Sequence, residues 1–133
     1  MISAPHNVTV TRWARHADVL PHCSAVITHG GHGTVMKALI AGVPLIVVPL
    51  GRDQPDNAAR VRYAGAGIRL RKNASAYALR AAVGRVIGDP RYRAAAGAMA
   101  ARLASERDDN RVVDELEQVA ARGPAAGHPT VRP

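Results

Sequence analysis

Residues 28–34 read Thr-His-Gly-Gly-His-Gly-Thr, a segment whose residue types suit binding of an anion. Adjacent glycines allow the backbone to approach a ligand closely. The pattern that follows is typical of a helix, whose first N–H groups and positive dipole end attract phosphate. The imidazole of His29 and the hydroxyl of Thr34 can donate further hydrogen bonds to phosphate oxygens. The segment therefore predicts a phosphate site, with Gly31 and Gly33 allowing the close approach.

Three other interpretations of this segment fit less well. The dinucleotide fingerprint fails because Met36 stands where a third small residue is needed, and the sequence contains no P-loop Gly-Lys-Ser/Thr. His29 and His32, with His22 and Cys23 nearby, suggest zinc, but the spacing is loose and no second pair completes a four-ligand set. We expect no metal here.

A second polar group, Asp53 and Gln54, follows the apolar run at residues 44–49. A carboxylate beside an amide can bind neighbouring hydroxyl groups, because the pair supplies both acceptors and donors. Asp53 also stands shortly before Pro55, a pattern typical of a helix N-terminus. Hydroxyl binding and helix capping are therefore both open for Asp53, and the two roles are compatible.

Trp13 is the only tryptophan and stands two residues after the β-branched segment at residues 8–11. Its indole is either core filler or a platform for a nucleobase, a stacking interaction worth roughly 1–3 kcal/mol. A ring platform, a phosphate site and a hydroxyl-binding pair at one edge of a sheet would together fit a nucleoside-diphosphate sugar.

The elements that must position these groups alternate between strand and helix. The predicted strands are residues 8–11, 25–28, 44–49 and 68–70, and the predicted helices between them are residues 34–41 and 55–64. Alternation of this kind predicts a parallel sheet, and the wholly apolar run at 44–49 predicts helices on both of its faces. One edge of so small a sheet would lack a partner unless another segment pairs with it.

After residue 70 the pattern is helical, with Ser75 and Asp89 as predicted caps and three apolar stripes that we assign to the core. The third stripe comprises Val112, Val113, Leu116, Val119 and Ala120. Residues 123–133 are rich in Gly, Pro and Ala without periodicity, which predicts a disordered tail after a domain at residues 1–122.

Composition limits the possible partners. The 133 residues include 18 basic and 10 acidic side chains, which gives a net charge of +8. The charge is spread along the chain and aromatic residues make up only 3%, so we favour a solvated basic surface over a nucleic-acid site. A single cysteine, no export signal and no long apolar run predict a cytoplasmic protein.

Residues 13–57 resemble the signature region of the nucleotide-sugar glycosyltransferases of the GT-B fold, in the macrolide-type and UDP-glycosyltransferase family. The shared elements are Trp-Ala, His-Gly-Gly-x-Gly-Thr, Ala-Gly-Val-Pro and Asp-Gln-x-x-Asn-Ala, in that order. This ordered combination is far more specific than any one part. The resemblance implies an α/β fold with a Rossmann-like, three-layer parallel sheet: the C-terminal half of a GT-B fold, incomplete at its N-terminus, followed by C-terminal helices.

The resemblance also implies a role for each site residue, with a UDP- or dTDP-sugar as co-substrate and no cofactor or metal. Trp13 would stack on the donor base, and the backbone of Ala14 would hydrogen-bond its edge. The diphosphate would be held by His29, Gly31, Gly33 and Thr34. The sugar hydroxyls would be bound by Asp53 and Gln54.

Two departures from the family pattern concern the nucleotide. Arg15 and His16 stand where many relatives have Pro-Gln, which leaves His16 as a candidate ribose contact. Lys37 stands where relatives often have a ribose-binding Glu, and it could reach back one helical turn to the diphosphate. The choice between UDP and dTDP donors therefore stays open.

In this family the acceptor site and the general base belong to an N-terminal domain, so the resemblance places no catalytic residue in these 133 residues. We expect a small hydrophobic or lipid acceptor, no transfer by the isolated chain, and a complementing N-terminal half as a partner. The alternative is a non-catalytic nucleotide-binding remnant that acts through a partner chain.

Overall fold

The computed structural model describes residues 4–107 and 111–121. The first helix, α1 (His16–Val19), runs into a 3₁₀ turn at Leu20–His22. The elements that follow are β1 (Val26–Thr28), α2 (His32–Ile40), β2 (Leu45–Val47), α3 (Gln54–Tyr63), β3 (Gly67–Arg69), α4 (Ala76–Gly88), α5 (Pro90–Arg107) and α6 (Arg111–Ala121).

The three strands form a parallel sheet in the order β1-β2-β3. The register aligns Thr28 with Val47 and Val47 with Arg69, so the three strands end at the same edge. The central strand β2 is fully buried, as its apolar sequence predicts. The predicted parallel sheet is confirmed; the strands predicted at 25–28 and 44–49 are shortened to three residues, and the one predicted at 68–70 lies at 67–69.

Helices cover both faces of the sheet. Leu45 and Val47 pack into a core with α2, α3 and Ala96 of α5, whereas Ile46 points to the other face and packs against α4. Alternate residues of β2 point to opposite faces, which is why one strand serves two cores. The predicted three-layer arrangement is confirmed.

The predicted strand at residues 8–11 is wrong. The segment forms no strand, and Val8 and Val10 are exposed. β-branched residues favour extended backbone, but a strand also needs a neighbouring strand to accept and donate its hydrogen bonds. In the described part of the chain, β1 pairs only with β2, and residues 8–11 pair with no strand.

The helix starts at Ser75 and Asp89 are confirmed. The Ser75 hydroxyl accepts from the Ala78 N–H at 3.2 Å, and an Asp89 carboxylate oxygen accepts from the Arg91 N–H at 3.0 Å. The third apolar stripe is not core, because Val113, Leu116 and Val119 are each more than half exposed. Periodicity predicts an apolar face but not what covers it, and no other described element packs closely on α6.

The predicted tail at residues 123–133 lies outside the described residues. Of the helices that are described, none combines the length and the apolar character needed to cross a bilayer.

Candidate functional site

Two loops leave the sheet side by side at the edge where the strands end. The glycine turn (residues 29–33) follows β1, and the polar loop (residues 48–53) follows β2. Because Thr28 and Val47 are register partners, the two loops begin next to each other. In parallel α/β sheets this edge is where ligands bind.

The glycine turn packs tightly on β2. Gly30 has a φ of +93°, which L side chains rarely adopt, and a Cβ on it would lie 2.6 Å from Cγ1 of Val47. Its N–H donates to the Thr28 hydroxyl oxygen at 3.2 Å. The turn therefore depends on glycine at position 30 for its conformation and for its packing.

The start of α2 is open on its outer side. No atom lies within 4 Å of the position that a Cβ on Gly33 would take, and the imidazole of His29 lies against Gly31. The first N–H groups of a helix have no acceptor within the helix. Thr34, in the same turn, is half-buried. His29, Gly31, Gly33 and Thr34 thus lie within one short segment at the start of α2, and binding of an anion there stays a prediction of the sequence.

The polar loop is closed by Gln54, the first residue of α3. Oε1 of Gln54 accepts hydrogen bonds from the N–H groups of Leu50 at 2.8 Å and Gly51 at 3.1 Å. Within the loop, Arg52 has a φ of 59°, which places a non-glycine residue in the left-handed region. Since its oxygen is engaged, Gln54 keeps its amide N–H groups for other partners.

Asp53 occupies the N-cap position of α3, but its side chain makes no capping hydrogen bond. Its Oδ2 instead accepts from Nδ2 of Asn57 at 2.9 Å. Asp53 therefore stands at the N-terminus of the helix, as the helix-cap interpretation predicts, but its carboxylate does not cap the helix. Asn57, one turn further along α3, orients this carboxylate instead.

Asn57 is the asparagine of the Asp-Gln-x-x-Asn-Ala element, and the sequence analysis assigned it no role. It is 8% exposed, and its Nδ2 also donates to the Gly30 carbonyl oxygen at 3.0 Å. One side chain thus bonds to both the glycine turn and the polar loop. The available signal was its i+4 spacing from Asp53, which places the two residues on one helix face.

A cleft of about 620 Å³ contains the residues predicted to contact the nucleoside. It is lined by Trp13, Ala14, Arg15, His16, Ala17, Leu20, Pro21, Lys37, Ile40 and Ala41. Trp13 is 73% exposed, so the alternative that its indole fills the core is wrong. Its carbonyl oxygen accepts a hydrogen bond from the Thr11 hydroxyl at 2.8 Å, and this bond restrains the backbone of Trp13.

Helix α2 connects the cleft to the two loops. Neither His29 nor Asp53 lines the cleft, whose α2 wall begins at Lys37. Lys37 lies one helical turn after Thr34, on the same face, because residues three apart are neighbours on a helix surface. The predicted residues thus form two groups, one around Asn57 and one in the cleft, and α2 extends from the first group to the second.

Known proteins resemble the chain over most of its length. Residues 1–119 match the family described as erythromycin biosynthesis protein CIII-like, C-terminal domain. Tylactone mycaminosyltransferase of Streptomyces fradiae is 36% identical over 118 residues, which are 88% of this chain and 26% of that enzyme. For 4'-demethylrebeccamycin synthase of Lentzea aerocolonigenes the identity is 43% over 90 residues, 67% of this chain and 21% of the relative. The chain spans about a quarter of the length of these relatives.

Solved structures share the fold. The calicheamicin glycosyltransferase superposes with a TM-score of 0.81 at 34% identity, over 92% of this chain and 32% of the other. The glycosyltransferase VinC, in complex with dTDP, gives a TM-score of 0.78 at 31% identity, over 91% and 31%. The chain therefore belongs to the macrolide-type and UDP-glycosyltransferase family and corresponds to a C-terminal domain of the GT-B glycosyltransferases.

Proposed function

We propose that this chain binds a nucleoside-diphosphate sugar, with UDP or dTDP as the nucleotide, as the donor-binding part of a glycosyltransferase. The observation that carries the proposal is the hydrogen-bonded pairing of the glycine turn with the polar loop through Asn57, beside a cleft that contains the single tryptophan. An elongated anionic ligand would lie along α2 from the cleft to the loops.

The diphosphate binds at the first turn of α2 in this proposal. The N–H groups there and the helix dipole favour negative charge, and the missing side chain of Gly33 leaves room for a phosphate oxygen. The hydroxyl of Thr34 and the imidazole of His29 donate further hydrogen bonds. His29 also stabilises the charge that develops on the leaving nucleoside diphosphate as its bond to the sugar breaks.

The nucleoside occupies the cleft. Its base stacks on the exposed indole of Trp13 and hydrogen-bonds to the backbone of Ala14. His16 and Lys37 line the same cleft and are candidate contacts to the ribose and to the diphosphate, respectively. A cation at position 37 suits a ligand that carries two phosphates on its ribose.

The sugar lies over the polar loop. After accepting one bond from Asn57, the carboxylate of Asp53 keeps lone pairs for a sugar hydroxyl. Gln54 offers its amide N–H groups, since its oxygen closes the loop. A donor and an acceptor in adjacent positions can distinguish neighbouring hydroxyl groups of a hexose.

Fluorescence of Trp13 tests donor binding directly, because the protein has no other tryptophan. Titration of the full chain with UDP and dTDP is expected to change its emission to saturation, with GDP weaker. Calorimetry on a Trp13→Phe variant separates stacking from a distant effect on the indole. No emission change and no heat with any of the three nucleotides would overturn the proposal.

Sugar transfer is proposed for the whole glycosyltransferase, to a small hydrophobic or lipid acceptor, and not for these 133 residues alone. We propose that the acceptor and the general base come from a complementing N-terminal half. Incubation of the chain with a UDP- or dTDP-hexose and a hydrophobic phenol should release no nucleotide. Turnover by the purified chain would contradict this; the remnant alternative is favoured if a supplied N-terminal half also restores none.

A further inference from the structure

We propose that Asn57 is a positioning residue that couples the diphosphate subsite to the sugar subsite, by holding the glycine turn and the polar loop in one arrangement. The inference rests on the proposed donor binding and extends it to a residue that touches neither part of the ligand. Its basis is the pair of hydrogen bonds from one amide nitrogen to two separate loops.

Both hydrogens of the Asn57 amide are engaged. Nδ2 donates to the Gly30 carbonyl oxygen at 3.0 Å and to Oδ2 of Asp53 at 2.9 Å. Among the side-chain hydrogen bonds of the described residues, no other side chain bonds to both loops; Gln54 bonds only within its own loop. Because Asn57 is nearly buried, water does not readily replace its bond to Gly30.

The bond to Gly30 orients the peptide that faces the anion site. The chain has no cis peptide bond among its described residues, so the Gly30 carbonyl and the Gly31 N–H lie on opposite sides of a planar unit. Because the Gly30 carbonyl points toward the buried Asn57, the Gly31 N–H points away from Asn57. Asn57 therefore fixes the direction of a donor that can meet a phosphate oxygen.

The bond to Asp53 fixes the other subsite. Asp53 is exposed and makes no capping bond, so Asn57 is the side chain that holds its carboxylate. Any movement of Asn57 changes the Gly31 N–H and the Asp53 carboxylate together. The groups that bind the diphosphate and the sugar are consequently held in one arrangement by Asn57.

The decisive variant is Asn57→Asp, which keeps the size of the side chain but replaces the amide donor with a carboxylate. That carboxylate would face a carbonyl oxygen and the carboxylate of Asp53, so both contacts become repulsive. We expect calorimetric affinity for UDP or dTDP to fall by about tenfold or more, since losing one buried hydrogen bond and one to a carboxylate has effects of this order. The wild type is expected to bind UDP-glucose or dTDP-glucose more tightly than UDP or dTDP, and this difference should disappear in the variant.

Val61→Ala is the matched control. Val61 lies on the same helix one turn further, is 2% exposed, and packs in the core without bonding to either loop. This variant should lose thermal stability. It should keep the wild-type ratio between the affinity for the nucleotide sugar and the affinity for the free nucleoside diphosphate. Adding Asp53→Ala should abolish the sugar-dependent affinity in the wild type and cause no further loss of it in Asn57→Asp.

A measurement without ligand separates this inference from donor binding itself. In NMR spectra of the free chain, Asn57→Asp should shift the amide signal of Gly31, and Val61→Ala should leave it in place. If the wild type binds no nucleotide, the proposed donor binding is wrong, but the Gly31 amide signal still tests whether Asn57 orients the glycine turn. If Asn57→Asp does not fold, the Gly31 signal and the nucleotide affinities are measured on Asn57→Ser, which keeps one donor. An unmoved Gly31 signal with unchanged affinities in a folded variant overturns the inference.

Discussion

Nε2 of His29 lies 2.8 Å from the position that a Cβ on Gly31 would occupy. Real Cβ atoms essentially never approach another heavy atom so closely, so a side chain at position 31 would displace the imidazole. Gly31 itself has a φ of −60°, which any residue adopts. The glycine is therefore needed for the placement of His29 and not for its own backbone conformation.

Gly31→Ala should weaken binding of UDP or dTDP by about tenfold, the scale of one hydrogen bond to a charged group, while the fold is kept. His29→Ala should cause a similar loss. The double variant should bind no more weakly than His29→Ala alone, because both changes remove the same imidazole contact. Calorimetry checks this, and additive losses would show that Gly31 acts by another route.

Gly33→Ala should change stability and binding in opposite directions. The position lies in α2 with open space around it, so alanine should stabilise the helix by about 0.5–1 kcal/mol. The same methyl group would enter the space assigned to the diphosphate and weaken nucleotide binding.

Gly84→Ala is the control for Gly33→Ala, since Gly84 is also a helical glycine with nothing within 4 Å, but on α4. It should raise the thermal unfolding midpoint and leave nucleotide affinity unchanged. Wild-type affinity in Gly33→Ala would place the diphosphate elsewhere.

The two loops of the site were predictable because each signal is local. The glycine turn and the polar loop both directly follow short strands, so strand, loop and helix start are encoded in a few consecutive residues. The role of Asn57 was not predictable, because its bond to Gly30 joins residues 27 positions apart. A sequence shows that such a residue is polar but not which carbonyl it meets.

The two wrong predictions about the fold, a strand at residues 8–11 and a third core stripe, have a common physical cause. Residues 8–11 have strand propensity and α6 has an apolar face, but both features describe one side of an interaction. Whether a segment becomes a strand, or a face becomes core, depends on what packs against it. In the described part of the chain neither segment meets such a partner.

Lys37→Glu should weaken binding of UDP more than binding of uridine, because a carboxylate beside the diphosphate would repel it. Lys72→Glu makes the same charge change at an exposed position that does not line the cleft, and should have little effect. Fluorescence titration of Trp13 measures both variants. An unchanged UDP affinity in Lys37→Glu would refute a role for this lysine at the diphosphate.

Arg93→Ala should destabilise the chain without altering nucleotide specificity. From α5, the guanidinium donates to the carbonyl oxygens of Cys23 at 2.8 Å and Gly42 at 3.1 Å, in the loops that lead into β1 and β2. We expect a loss of about 1–2 kcal/mol in the free energy of unfolding, reduced from the buried value because Arg93 is exposed.

Arg93→Lys should recover little of this stability, since one ammonium group cannot reproduce the fork that spans two loops. Urea denaturation measures the loss, and the ratio of UDP to dTDP affinity serves as the internal control. Full stability in Arg93→Ala would mean that the packing of α5 alone holds these loops.

Acid should remove a stabilising contribution at the start of α5. The pKa of Asp89 is lowered by hydrogen bonds from the side chain and the backbone N–H of Arg91. The unfolded chain therefore binds a proton at Asp89 at a higher pH than the folded chain does. The contribution is complete above the usual Asp pKa of about 3.9 and is lost as the pH falls through the lower folded value. Asp89→Asn can still cap the helix but does not titrate, so its thermal midpoint should decline less between pH 5 and pH 2, roughly the range over which such a carboxylate titrates. Parallel declines in the two proteins would contradict the assignment.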